Sequence, residues 1–148
     1  MHNDVDYIVN PANEDLNHIG GLAKSIADKA GPDMLSECST FITQYRKLNT
    51  GNALRTTAGR LPFLGMCFIF SSVLILGIIH TVGPIWTGGF QNERLLLKQA
   101  VESTLKIAAK NGAISIAIPT ISAGIFGYPK EECTLEIVKT VVSFLSTR

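Results

Sequence analysis

The order strand, glycine-bearing loop, helix occurs at least twice in this 148-residue chain, and it constrains the fold more than any other feature. Residues 7–9 (YIV) form a short apolar run followed by Asn-Pro and a glycine pair, which predicts a buried strand ending in a loop. Residues 114–118 are almost wholly apolar, as expected for a central strand covered on both faces, and a second loop follows them. This order indicates an α/β sheet with helices on its faces. Ligands of such sheets bind beyond the carboxyl ends of the strands.

Four segments have apolar residues at spacings of three and four, or the end signals of helices. Gly31 ends the first and Pro32 suits the first turn of the second, while Asn92 can cap the third, with Glu93 well placed for its dipole. The predicted helices cover residues 22–30, 32 to about 48, 93 to about 110, and a final segment that begins at Pro129. Residues 53–57 and 78–82 are further strand candidates.

The charge of the chain is nearly balanced. Thirteen basic and twelve acidic residues leave a formal charge of +1, and no run of Lys or Arg occurs. This argues against electrostatic capture of nucleic acid or of an anionic membrane, so we expect neither as a partner. An anionic ligand must therefore be held by local geometry.

The cysteines and histidines show no pattern typical of a metal site. Cys38, Cys67 and Cys133 are widely spaced, odd in number and without a C-x-x-C pair, which argues against disulfides and structural zinc. We interpret them as buried, inert thiols in a reducing compartment. His18 and His80 each lie beside apolar residues without a second ligand at usable spacing, so we interpret both as structural. We predict no metal and no cofactor.

One segment departs from an ordinary soluble domain. Residues 63–79 carry no charge over 17 residues, just short of the roughly 18 to 20 of a membrane span. Three interpretations remain open: a membrane span, a buried lengthened strand, or an insertion from an imperfect gene model. A span is disfavoured because it would separate sheet elements that must pair. We predict a single domain over residues 1–148 with an unusual apolar insertion at about 64–77.

Two loops between a strand and a helix contain the candidate binding residues. The first runs from Asn10 to Leu22 and includes Gly20 and Gly21, and the second covers residues 122–129 (SAGIFGYP). Unpaired amides at a helix start, beside glycines that let the backbone approach closely, form an anion site that needs no Lys or Arg. Two such sites facing each other would hold a diphosphate. The alternative is that the glycines merely turn the chain.

Three sequence blocks resemble one known family. Residues 9–23 (VNPANEDLNHIGGLA) resemble the first binding loop of macrodomains, residues 118–129 (IPTISAGIFGYP) resemble their second, and residues 79–84 (IHTVGP) resemble their central strand. The variant Gly20-Gly21-Leu22-Ala23 is similar to macrodomains of the multi-macrodomain poly(ADP-ribose) polymerase proteins. The resemblance covers residue 6 to about 145. It implies a three-layer α/β/α fold with a mixed central sheet, here lacking edge elements at both termini.

The resemblance also implies the ligand, which is ADP-ribose. Asn13 would bond the distal ribose, Phe126 would pack against that ribose, and loop amides would hold the diphosphate. Without the family match, Asn13 would be interpreted as an Asx turn and Phe126 as a core residue. We expect a positive φ at Gly124, where the backbone must approach the phosphate. The predicted ligand-binding residues are Ala12, Asn13, Gly20, Gly21, Leu22, Ser122, Ala123, Gly124, Ile125 and Phe126.

Three functions remain open. Because the loops offer donors and shape but no evident proton-transfer residue, we favour a non-catalytic module that binds ADP-ribose and ADP-ribosylated proteins in the cytoplasm or nucleus. The alternative is a hydrolase that removes mono-ADP-ribose from proteins, with Asn13 positioning the attacking water. The best hydrolases of the family have an additional glycine where this chain has Ile19, and some have an Asp where it has Lys24. The third is a domain unable to bind ligand, which serves only as an interaction surface or does not fold.

Overall fold

A computed structural model describes residues 5–61 and 75–147 of the chain. Most of the apolar insertion predicted at about 64–77 lies outside these residues, and so does Cys67. The three interpretations of the insertion therefore stay predictions. Among the described helices, none has both the length and the hydropathy needed to cross a membrane.

Eight elements make up the described structure, and all four predicted helices are present. In chain order they are β1 (Tyr7–Ala12), α1 (Gly21–Ala30), α2 (Pro32–Tyr45), β2 (Ala53–Thr56), β3 (Gly77–Val82), α3 (Glu93–Lys110), β4 (Ile116–Ala117) and α4 (Lys130–Ser146). Pro32 stands at the start of α2, as its fixed φ favours. Gly31 separates α1 from α2 with a φ of 80°, a backbone conformation open to glycine and costly for most other residues.

The four described strands form one mixed sheet. Their spatial order is β2-β3-β1-β4, with β1 parallel to both β3 and β4, and β2 antiparallel to β3. In the pairing of β1 with β3, Asn10 lies opposite His80. Because β1, β3 and β4 run in the same direction, the loops that follow them leave from one edge of the sheet.

Two hydrophobic cores lie on opposite faces of the sheet, which makes the fold three-layered as predicted. One core packs α3 and α4 against the side chains of Tyr7, Val9 and Ile79. The other packs α1 and α2 against Ile78 and Val82. The alternation of Ile78 and Ile79 between the two cores follows from the two-residue period of a strand.

The prediction of a central strand at residues 114–118 is wrong for the described sheet. Only Ile116–Ala117 pair with β1, and they lie at the edge of the sheet. The Asp6 carboxylate accepts the N–H groups of Ile114 at 2.6 Å and Ser115 at 2.9 Å, so a side chain satisfies amides that a neighbouring strand would otherwise pair. The Ile114 side chain is 96% exposed. An apolar run alone does not distinguish an edge position from a central one.

The predicted side-chain cap of α3 is also not observed. Asn92 precedes the helix in the left-handed region, with φ of 60° and ψ of 24°, and its side chain makes no capping hydrogen bond. Asn tolerates this conformation better than most residues, which accounts for its presence there without a cap. Glu93, rather than Asn92, organises the start of the helix.

Candidate functional site

The two predicted binding loops meet at the carboxyl ends of the parallel strands. A Cβ atom placed on Gly20 would lie 3.2 Å from Cδ1 of Ile125, so the first loop contacts the second directly. A Cβ atom on Gly83, just after β3, would overlap Oγ of Ser122 and lie 2.6 Å from Cγ2 of Ile121. The end of β3 therefore accommodates the second loop only because residue 83 is a glycine.

Two left-handed residues shape the second loop. Ser122 has a φ of 71° and Gly127 a φ of 69°, and the Gly127 amide donates to the Gly124 carbonyl at 3.0 Å. The expectation of a positive φ at Gly124 is wrong, because the chain reverses at Ser122 and Gly127 instead. A Cβ atom on Gly124 would meet nothing within 4 Å. The space beside Gly124 is thus open to a ligand without any left-handed backbone there.

The second loop leaves a run of backbone donors unused. Within residues 5–61 and 75–147, no hydrogen bond is made by the N–H groups of Ser122, Gly124, Ile125 or Phe126. The buried Oγ of Ser122 likewise has no partner among these residues. Ala123 lies between them, 9% exposed, and its amide donates to the Thr120 carbonyl at 3.3 Å. Amides in such a row form a concavity suited to an anion.

The first loop presents a second set of free amides at the start of α1. Gly20 is extended, with φ of −160° and ψ of 169°, and as a glycine it supplies no side-chain cap. The N–H groups of Gly20, Gly21 and Leu22 make no hydrogen bond to the part of the chain that the structure describes. Ala12, which ends β1, is buried at 4% exposure. An uncapped helix N-terminus carries partial positive charge and attracts anions.

Asn13 makes a local hydrogen bond, but to the amide four residues on rather than two, so it is not the Asx turn considered as its alternative role. Its Oδ1 accepts the Asn17 amide at 2.8 Å, and its carbonyl accepts the Leu16 amide at 3.1 Å. The carboxamide nitrogen of Asn13 makes no hydrogen bond to the described residues. The loop bond fixes the side chain and leaves two N–H donors available. Its bond to a ribose stays a prediction.

Glu14 anchors the first loop to the segment before β2. Its carboxylate accepts the amide and hydroxyl of Thr50, each at 3.0 Å, and pairs with Lys47 Nζ at 3.0 Å. The Thr50 amide and then Lys47 hold the pKa of Glu14 below its usual value. Its neighbour Asp15 is exposed. The residue spacing, 36 positions between Glu14 and Thr50, hid this contact from sequence analysis.

The segment after β3 supports the second loop. The Trp86 amide donates to the Phe126 carbonyl at 2.8 Å, and the rings of Trp86 and Tyr128 lie 4.5 Å apart at 52°. Phe126 itself is only partly buried, so it is not an ordinary core residue. Its ring stays accessible for contact with a ligand.

Glu93 also holds the segment after β3 in place, through hydrogen bonds to residues 87–91. One of its carboxylate oxygens accepts the Thr87 hydroxyl at 2.7 Å and the amides of Thr87 and Gly89, and the other accepts the Gln91 amide at 2.6 Å. These bonds, the Thr87 hydroxyl first, lower the pKa of Glu93 to about 2. With 1% exposure, the carboxylate is a buried charge satisfied by loop donors.

The structure brings His18, Cys38 and His80 together, contrary to our expectation that each histidine lacks a neighbouring ligand. One donor atom from each lies within 4.8 Å of the others. Burial lowers the pKa of His80 to about 3, with a further contribution from His18, and burial raises the pKa of the Cys38 thiol to about 11. The pairing of β1 with β3 places Asn10 opposite His80 in the sheet, and the Asn10 side chain lies beside both imidazoles.

A separate cavity of about 310 Å³ lies between α2 and β2. Phe41, Gln44 and Arg55 are among its lining residues, and neither predicted binding loop contributes to it. It therefore does not bear on the free amides described above.

The comparisons with known proteins agree on one family. The model of the Macro domain family matches residues 9–137. An O-acetyl-ADP-ribose deacetylase of Citrobacter rodentium is 41% identical over 144 residues, 97% of this chain and 75% of that protein. The Escherichia coli K12 protein of the same name is 39% identical over 142 residues, 96% of this chain and 73% of that protein.

Solved structures give the same result. The Oceanobacillus iheyensis macrodomain with ADP superposes with a TM-score of 0.85 at 30% identity, covering 98% of this chain and 72% of that one. The Trypanosoma brucei macrodomain in complex with ADP-ribose gives 0.80 at 30% identity, covering 98% and 53%.

These relatives do not support the finer resemblance to macrodomains of poly(ADP-ribose) polymerase proteins, because they are bacterial proteins named O-acetyl-ADP-ribose deacetylase. The short Gly20-Gly21-Leu22-Ala23 variant is too small a block to outweigh similarity over nearly the whole chain. Fold, loop order and sequence nevertheless point to one family. The chain belongs to the Macro domain family.

Proposed function

We propose that this chain binds ADP-ribose, free or attached to proteins, with the diphosphate between the two loops. One observation carries the proposal: the free amides of the second loop lie beside a first loop whose own helix-start amides are also free. Two macrodomains of the same fold were solved with ADP or ADP-ribose bound, which supports the same ligand class here.

Backbone donors suit this ligand because the chain places no free cation in either loop. Lys24, on the first turn of α1, is engaged by Asp28 at 2.6 Å, and Lys47 by Glu14. The charge of a diphosphate would therefore be met by N–H dipoles and by the positive end of α1. Binding held this way depends less on salt than binding by exposed lysines.

The remaining parts of the ligand have partners in the same loops. The free Nδ2 of Asn13 can donate to a ribose hydroxyl, and the partly buried ring of Phe126 can cover the apolar face of the sugar. Ala12 and Ala123 are small and buried at the starts of the two loops. Leu22 is 48% exposed beside the free amides.

A thermal melt with increasing ADP-ribose tests the proposal. Ligand at about 100 times its Kd should stabilise the fold by about 2.7 kcal/mol, a rise of several degrees in melting temperature. A cooperative transition that rises with ADP-ribose would also dispose of the third function, a domain that does not fold or bind. A melting temperature that stays fixed up to millimolar ADP-ribose would contradict the proposal.

A second function is hydrolysis of an acyl ester of ADP-ribose. The observation that favours it is the name of the curated relatives, O-acetyl-ADP-ribose deacetylase, at 39–41% identity. In that reaction water adds to the acetyl carbonyl, the ester C–O bond breaks, and acetate and ADP-ribose leave. Two side chains of the first loop that could act as a base are already engaged, Glu14 with Thr50 and His18 with Cys38. Asn13 would instead orient the water, and removal of mono-ADP-ribose from proteins would use the same group.

Acetate release from O-acetyl-ADP-ribose distinguishes an enzyme from a binding module. If the chain is an esterase, Asn13→Ala should lower the rate by at least about tenfold. Asn17→Ala is the matched control, because Asn17 lies in the same loop, is exposed, and contributes its backbone amide rather than its side chain. If the parent chain releases acetate no faster than the uncatalysed reaction, the chain is a binding module rather than an esterase. Loss of label from an automodified transferase tests the protein-linked substrate in the same way.

A further inference from the structure

We propose that His18, Cys38 and His80 form a zinc-binding site that links the first binding loop to the core. The proposal goes beyond ADP-ribose binding and does not depend on it. These three residues come from the first loop, from α2 and from β3, so an ion bound to them would connect three separate parts of the chain. Two imidazoles and one thiolate are a ligand set that Zn²⁺ prefers.

The two sulfur–nitrogen distances fit a tetrahedral ion. Cys38 Sγ lies 3.8 Å from Nε2 of His18 and 3.7 Å from Nε2 of His80. Zinc–sulfur and zinc–nitrogen bonds of the usual lengths, at a tetrahedral angle, separate the two ligand atoms by roughly 3.6 Å. The two imidazole rings are 5.2 Å apart between centroids. The three donor atoms lie within 4.8 Å of one another, so the two imidazoles would draw closer together around one ion.

Asn10 is a buried polar residue that contacts both histidines of this site. It is fully buried, its Nδ2 lies 2.9 Å from Nδ1 of His80 and 3.3 Å from Nδ1 of His18, and its Oδ1 has no partner among the described residues. A half-turn of the carboxamide would place Oδ1 where Nδ2 is. That oxygen would then accept a hydrogen bond from each Nδ1–H group.

This exchange would select the tautomer that metal binding needs. With both protons held on Nδ1, the lone pairs of both Nε2 atoms are free, and these are the nitrogens nearest Cys38. Metal-bound histidines usually donate their second N–H to an oxygen that fixes the ring. Asn10 is thus placed to serve both rings at once.

The remaining requirements are a fourth ligand, a thiolate and a path of entry. The Thr56 hydroxyl lies 2.9 Å from Nε2 of His80 and offers an oxygen for the fourth position, which water can also fill. On binding, the Cys38 proton passes to solvent and the sulfur bonds to zinc. Cys38 and His80 are buried, whereas His18 is only partly so, and the ion would enter past His18.

Zinc retention by the full chain tests the proposal. The protein is stripped with a chelator, given one equivalent of Zn²⁺, passed over a desalting column, and analysed for metal content and melting temperature. We expect close to one zinc per chain and a melting temperature several degrees above that of the stripped protein. Mg²⁺ should do neither, because it prefers oxygen ligands.

Variants locate the ion. His18→Ala, on a partly buried loop position that should not disturb folding, and Cys38→Ser should both lose the retained zinc. Cys133→Ser is the matched control, since Cys133 is also buried but lies on α4, outside the cluster. Co²⁺ in place of Zn²⁺ should give a thiolate charge-transfer band that Cys38→Ser abolishes. No retained zinc in the parent chain, or zinc retained equally by His18→Ala and Cys38→Ser, would overturn the proposal.

Discussion

The two binding loops present similar backbone donors but are held in place by different means. Side chains add to the backbone bonds of the first loop: Asn13 bonds within it and Glu14 bonds to Thr50 and Lys47, beside the Leu48 amide, which donates to the Glu14 carbonyl at 2.8 Å. Backbone bonds hold the second, namely Tyr128 to Ser122, Gly127 to Gly124 and Trp86 to Phe126. The first loop should therefore be sensitive to loss of side chains that never touch the ligand. The second should be sensitive mainly to side chains added where there are none.

Gly124→Glu should have the largest effect on binding. The site of a Cβ atom at Gly124 is open and its φ is not positive, so the variant should fold normally. The added carboxylate would take the place of the phosphate and repel it. We expect at least a 100-fold loss of ADP-ribose affinity, about 2.7 kcal/mol. Circular dichroism checks the fold and calorimetry the affinity. A folded variant that binds within about threefold of the parent would show that this loop does not contact the phosphate.

Glu14→Ala should weaken binding through the first loop without touching the ligand. Loss of its hydrogen bonds at a half-exposed position should cost about 1 kcal/mol of unfolding free energy and lower affinity roughly five- to tenfold. Asp15→Ala is the control, because Asp15 is exposed and neighbours Glu14 in sequence. Equal effects of the two substitutions on affinity and urea unfolding would remove the distinction between the loops.

Glu93→Gln tests the support beneath the second loop through pH. The folded-state pKa of Glu93 is about 2, below its value of 4.5 in a model peptide. Its stabilisation is therefore complete above about pH 4.5 and is lost as the pH falls toward 2. We expect the variant to melt lower than the parent at pH 7, and the difference to shrink below pH 4. A difference that does not change with pH would mean that the carboxylate charge is not what holds residues 87–91.

Ile125→Ala should have the smallest effect. The side chain is 80% exposed, and its contact with Gly20 is the direct link between the loops identified above. We expect a two- to threefold loss of affinity and an unchanged melting temperature, since little apolar area is buried there. A loss beyond about tenfold in the calorimeter would indicate that Ile125 sets the spacing of the two loops.

Local patterns in the sequence predicted the helices and the loops well, because periodicity and helix-end residues act over a few positions. Pro32 and Gly31 mark their helix ends in the structure as they do in the sequence. The edge position of β4 was missed because the apolar run does not reveal that Asp6 takes the amides of Ile114 and Ser115.

The support of the candidate site was not predictable in the same way. Glu14 meets Thr50 across 36 positions, and Asn10 meets His80 across 70, so only tertiary packing brings them together. The backbone of Gly124 was wrongly expected to be left-handed because a glycine's identity does not say which loop residue reverses the chain. The ten predicted ligand-binding residues came from a family resemblance, and their roles stay predictions.

Calorimetry of ADP-ribose against AMP tests the central claim most directly. AMP lacks the second phosphate and the distal ribose, the two groups assigned to the paired loops and to Asn13. We predict ADP-ribose binding with AMP at least about tenfold weaker, a difference of 1.4 kcal/mol or more. Equal affinity for the two ligands would contradict a diphosphate site between the loops.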